Sequence, residues 1–133
     1  MNNSWLTLLT NKSPIESIFR EEQPDLDDVD LHEVVIHRDG PKVTLVFDLN
    51  TFPTSPPKKW LIGKFNKVQI RLIAFSVQEF SMNHVKVKNR VSINITKEGE
   101  SIRLKTNEIP LLNILAEHLI LEKISAYQNS ENT

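Results

Sequence analysis

Two pairs of alternating β-branched runs, each pair split by a tight-turn sequence, leave this chain few folds other than an antiparallel sheet. Leu31 to Arg38 and Lys42 to Asp48 flank Asp39-Gly40-Pro41. Aspartate and glycine tolerate the backbone of a sharp reversal, so these runs read as two arms of a hairpin. In the second arm Val43, Leu45 and Phe47 alternate with Thr44, Val46 and Asp48, the period of two that buries one strand face. Arg90 to Thr96 and Ser101 to Lys105 form the second pair around Lys97-Glu98-Gly99-Glu100. Here Val91, Ile93 and Ile95 oppose Ile102 and Leu104, and Val85 and Val87 extend the first arm backwards. Lys67 to Val77 is a further strand, with Val68, Ile70, Leu72 and Ala74 on one face.

The remaining segments are punctuated differently. Ser13-Pro14-Ile15-Glu16 carries a serine cap, an early proline and a glutamate placed to complete a capping box. It predicts a short helix from about Pro14 to Arg20, with Ile15, Ile18 and Phe19 as its buried stripe and Pro24 beyond its end. Asn50 to Asn66 holds three prolines and a glycine, which predicts a long ordered loop pinned to the core by Trp60 and Phe65. Ile109 to Tyr127 fits a helix through Leu111, Leu115 and Leu119, or short strands through Leu112, Ile114 and Ala116. A final strand near Leu119 to Tyr127 is expected, because a strand-rich chain supplies it with a partner. Gln128 to Thr133 reads as a polar tail. The expected fold class is α+β, predominantly antiparallel β as a sandwich- or barrel-like sheet, with a short N-terminal helix.

With 133 residues the chain is sized for a single domain, 1–133, with one core. It contains no cysteine, which removes disulfides, thiol nucleophiles and thiolate metal sites together. Met1 to Thr10 has a short apolar stretch and no positive side chain before Lys12, so it fails as a secretory signal, and no window reaches the roughly 20 apolar residues of a membrane span. A cytoplasmic protein without a membrane partner is expected.

Charge is balanced overall and segregated along the chain. Glu21, Glu22, Asp25, Asp27, Asp28, Asp30 and Glu33 put seven acids and no base into one segment, leaving 10 of the 17 acids against all 16 Lys and Arg elsewhere, a balance of +6. Such segregation steers charged partners and says nothing of fold.

Catalytic and metal patterns are missing. The four histidines are His32, His37, His84 and His118, and the five-residue spacing of the first two places them on opposite faces of a regular strand. Asp25-Leu26-Asp27-Asp28-Val29-Asp30 lacks the glycine and closing glutamate of a calcium loop. Three glycines, Gly40, Gly63 and Gly99, cannot write a phosphate-cradling loop, and no nucleophile elbow is present. Neither a cofactor, a metal nor a catalytic residue is expected, and the basic strands lack a clear set of exposed aromatics for nucleic acid.

Read in order, the chain resembles the Immunity protein 50 family of bacterial polymorphic-toxin systems. The resemblance rests on Trp5, Pro24, Asp28-Val29, Leu31-His32-Glu33, Arg38-Asp39-Gly40-Pro41 and Leu45-Val46-Phe47-Asp48. It continues through Phe52-Pro53, Pro56-Pro57-Lys58-Lys59-Trp60, Phe65-Asn66-Lys67-Val68-Gln69-Ile70 and Ile124-Ser125-Ala126-Tyr127. It implies a small non-enzymatic protein that binds and neutralises a cognate toxin encoded by an adjacent gene. No catalytic positions come with it. Glu21, Glu22, Asp25, Asp27, Asp28 and Asp30 are the candidate partner-binding residues, as a phosphate mimic for a basic toxin groove. Trp60 is a candidate anchor, weighed against a place in the core. The alternative is a carbohydrate- or nucleic-acid-binding β module.

Overall fold

Val43, Leu45 and Phe47 are among the most deeply buried side chains of the protein, and the sheet is built outward from the strand that carries them. The structure, a computed structural model, describes residues 4–129. Its strands are β1 (Val29–His37), β2 (Lys42–Asp48), β3 (Lys67–Asn83), β4 (Arg90–Val91), β5 (Ile93–Glu98), β6 (Ser101–Thr106) and β7 (Leu111–Tyr127). They form one antiparallel sheet in the order β4-β1-β2-β3-β7-β6-β5. The two ends of that order are consecutive in sequence, separated by Ser92 alone. The sheet therefore curls into a nearly closed, barrel-like form, as closure removes exposed edges.

Ser92 also corrects the single arm expected from Arg90 to Thr96. Val91 pairs with Val29 of β1, whereas Ile93 pairs with Thr106 of β6, so the run is divided between opposite ends of the sheet. The break is held from the chain before β1. The Asp28 amide donates to Ser92 Oγ at 3.0 Å, and the Ile93 amide donates to the Leu26 carbonyl at 2.9 Å. Val85 and Val87 do not extend the strand. They lie in the loop before β4 at 70% and 100% exposure, and that loop is closed by Lys86 and Asn89 bonding each other.

Both hairpins form at the expected turns, with Gly40 at φ 134 and Gly99 at φ 65, conformations that favour glycine. The alternation in β2 reflects more than one buried face. Thr44, Val46 and Asp48 are as inaccessible as the inward residues, because β2 is central between β1 and β3. The ambiguous C-terminal stretch is strand throughout, paired with β3 from Leu111 to Tyr127 and with β6 near its start. Its mixed periodicity has a cause in register shifts at Arg71/Leu72 and Val77/Glu79 of the partner, which displace the inward positions. Of the expected tail, Asn129 exchanges hydrogen bonds with Asn66. Residues 130–133 lie outside the described residues.

Short helices cap the core: α1 (Ser4–Thr7), α2 (Ser13–Phe19) and α3 (Lys58–Ile62). Helix α2 buries Ile15 and Phe19, with Ile18 partly buried against them. Its capping box does not form. Lys12 occupies the cap position without a side-chain bond, Ser13 is already helical, and Glu16 pairs with Lys12 instead at 3.7 Å. The helix ends where Arg20 turns to φ 58, before Pro24 is reached. Asn11 then docks this segment on β7, giving its amide to the Leu121 carbonyl and accepting the Leu121 N–H. The expected loop at residues 50–66 contains α3, from which Trp60 reaches the core, with Phe65 partly buried beside it.

Candidate functional site

The acidic segment is sorted by burial before it is sorted by charge. Pro24, Leu26 and Val29 point inward, which turns the acids between them to the surface and divides them between two concavities. Glu21, Glu22 and Asp25 line an open groove of about 450 Å³ with Phe19, Phe52 and Thr54. Glu22 is fixed there, since its carboxylate accepts from both the amide and the hydroxyl of Thr54, and those bonds hold its pKa below the usual carboxylate value. Asp25 accepts from the Asp27 amide at 3.1 Å. Trp60 lies beneath this side of the protein, 5% exposed, its ring centroid 5.9 Å from that of Phe52. The outward apolar residues of its helix are Leu61 and Ile62.

Asp28 and Asp30 belong to the second concavity, an opening of about 610 Å³ shared with His32, Lys67, Lys88 and Arg90. The Arg90 guanidinium takes Asp28 in a two-pronged pair, Nε to Oδ1 and Nη2 to Oδ2, both at 3.1 Å. Those bonds hold the Asp28 pKa below its ordinary value and raise that of Arg90. The acidic run is therefore not one uninterrupted negative face.

Two residues lining this concavity, Asp30 and His32, belong to a cluster centred on Asp48. A bulge between Leu31 and Glu33 lets His32 join Asp30 and Asp48 on the outer face of the sheet. This corrects the opposite-face reading of His32 and His37. Glu33 stands opposite Val46 and His37 opposite Lys42, on the same side as Asp48, although roughly 16 Å of strand separates the two histidines. His32 Nε2 stands 2.9 Å from Asp48 Oδ2 and 3.8 Å from Asp30 Oδ2. Gln69 Nε2 donates to Asp48 Oδ1 at 3.1 Å, and the Tyr127 hydroxyl donates to Asp48 Oδ2. Burial, followed by the bond to Asp48, pushes the Tyr127 hydroxyl well above the usual phenol range. Asp30, His32 and Asp48 present donor atoms all within 4.8 Å of one another, the geometry of a possible metal-ligand set.

Reading along the chain missed this cluster. Its members come from β1, β2, β3 and β7 and meet only through strand register. The available signal was Asp48 ending an otherwise apolar alternation, together with Tyr127 as the lone tyrosine.

Residues 11–127 match the family described as Immunity protein 50. The chain belongs to the Immunity protein 50 family. The match spans all seven strands, α2 and α3, and all of the lining of the two concavities except Asn129, and membership points to an immunity function. Immunity proteins of this family are generally non-enzymatic. No curated protein and no solved structure matches the chain. Among the described residues, no helix is long and apolar enough to cross a membrane.

Proposed function

We propose that this Immunity protein 50 member binds a cognate bacterial toxin domain and neutralises it stoichiometrically, without turnover. Family membership across residues 11–127 carries the reading. The toxin is the product of an adjacent gene, the two meet in the cytoplasm, and the whole chain acts as one binding domain. A preformed, rigid sheet suits this task, because an inhibitor gains affinity by losing little freedom on binding. The exposed acids Glu21, Glu22, Asp25 and Asp27 supply the charged contact surface, with Asp28 and Asp30 at its margin beside Arg90. Charge of this sign accelerates encounter with a basic active-site groove and then pairs with its cations. Trp60 contributes by holding Phe52 beneath the groove.

Co-expression with the neighbouring gene product, followed by pull-down and cell rescue, tests the proposal. The expected result is a stoichiometric complex and restored growth. Absence of both a complex and rescue would refute it. Reversing Glu21, Asp25 and Asp27 to lysine is expected to preserve the fold and slow association, with the difference shrinking at high salt. Unchanged association kinetics would remove the acidic groove from the interface.

A further inference from the structure

We propose that Asp30, His32 and Asp48 form a binding site for a divalent transition-metal ion of the Zn²⁺ type, separate from the acidic groove. The argument begins with spacing. An ion bound tetrahedrally by oxygen and imidazole at about 2.0–2.2 Å needs neighbouring donors roughly 3.3 Å apart. His32 Nε2 lies 2.9 Å from one carboxylate oxygen and 3.8 Å from the other, on either side of that requirement. Asp30 and His32 are partly exposed side chains, so small torsional adjustments close the set, while Asp48 is 4% exposed and stays where the sheet holds it.

Asp48 is oriented from behind. Gln69 donates to one of its oxygens and Tyr127 to the other, as outer-shell donors do for a ligating carboxylate. Charge gives an independent reason. Among the described residues no Lys or Arg makes a direct ion pair with Asp30 or Asp48, and Arg90 acts on both carboxyls only through space. Arg90 makes its hydrogen bonds to Asp28. A carboxyl pair held this close attracts a cation, and a dication bound between its oxygens gives the buried Asp48 carboxyl a charged partner. His32 would reach the ion through Nε2, the nitrogen already turned to Asp48, in the tautomer that carries its proton on Nδ1. Three protein donors leave one position of a tetrahedral ion open, and two of the three, Asp30 and His32, line the 610 Å³ concavity. Lys67 and Lys88 on its rim repel a free dication and set a ceiling on affinity.

The test uses the full chain, stripped by chelator, titrated with Zn²⁺ by calorimetry and with Co²⁺ by visible absorption. The expected result is one ion per chain, with Co²⁺ d–d bands indicating a low-coordinate N/O site. His32→Ala and Asp30→Asn should each lose at least tenfold in affinity with the fold intact by circular dichroism. Gln69→Ala should lose about 10- to 100-fold through the outer shell. His37→Ala and His84→Ala should bind as wild type. Because Asp48→Asn could unfold the chain, the decision rests on His32 and Asp30. Absence of stoichiometric binding by the folded wild type, or equal binding by His32→Ala, would overturn the proposal.

Discussion

Replacing Trp60 with alanine separates a core role from an interface role more cleanly than any other single change. The indole is 5% exposed, packs on Phe52 at 5.9 Å, and anchors a 5-residue helix in the connection between β2 and β3. Truncating a buried tryptophan costs roughly 3 to 5 kcal/mol, from lost transfer free energy and the cavity left behind. A chain of 133 residues has an unfolding entropy of about 0.28 kcal/mol per kelvin at its midpoint, so this loss lowers Tm by about 11 to 18 °C. Thermal and urea unfolding monitored by circular dichroism would measure it, with Leu61→Ser and Ile62→Ser as controls. Those two side chains are 62% and 73% exposed, and their replacement should change stability by no more than about 0.5 kcal/mol. A Trp60→Ala protein within about 1 kcal/mol of wild type would refute the burial argument. If that stable variant also failed to bind the toxin, Trp60 would move to the interface.

Tyr127 is the one tyrosine of the chain, so its ionisation can be followed by ultraviolet absorbance without a competing signal. Folding raises its pKa above 10, so its contribution to stability is complete below about pH 10 and is lost as pH rises through the folded value. Tyrosinate should therefore form at higher pH in the folded chain than in urea, and Tyr127→Phe should remove its share of the alkaline destabilisation. Identical titration midpoints in the two solvents would contradict the Asp48 geometry. On the far side of the sheet, Arg103 donates to Glu98, Glu79 and Asn113. Since both carboxylates are exposed, Arg103→Ala should cost no more than about 1 kcal/mol, with the deficit shrinking in salt, as read from urea midpoints. Gly99→Ala meets open space but keeps φ at 65, so its loss of about 1 to 2 kcal/mol should be independent of salt.

How far the fold could be read in advance depended on how local its signals were. The β1–β2 turn and the full span of β2 were legible, since a tight turn and a period-two pattern are both short-range. The C-terminal segment was not. Leu111 to Tyr127 is one long strand because β3 is long enough to pair with it, and register shifts in that pairing blur its alternation. The capping box at Ser13 failed because the chain entered the helix one residue early, leaving Lys12 at the cap. The acidic candidates were legible as a charge cluster, yet Arg90 lies 62 residues from Asp28 and its pairing had no sequence signature.

Composition, turns and alternation were enough to determine a cysteine-free antiparallel sheet with a short helix before it, because those properties follow from backbone sterics and local burial. The tertiary structure decided how the strands align. Carried down from the β1–β2 turn without a bulge, Asp30 would face Leu49. The extra residue at His32 brings it opposite Asp48 instead. That shift, together with the placement of Gln69 and Tyr127 by β3 and β7, assembles a buried carboxylate with three partners from residues up to 79 positions apart. Register is a property of the paired strands and the turns between them, so the Asp48 cluster exists only once the sheet has closed.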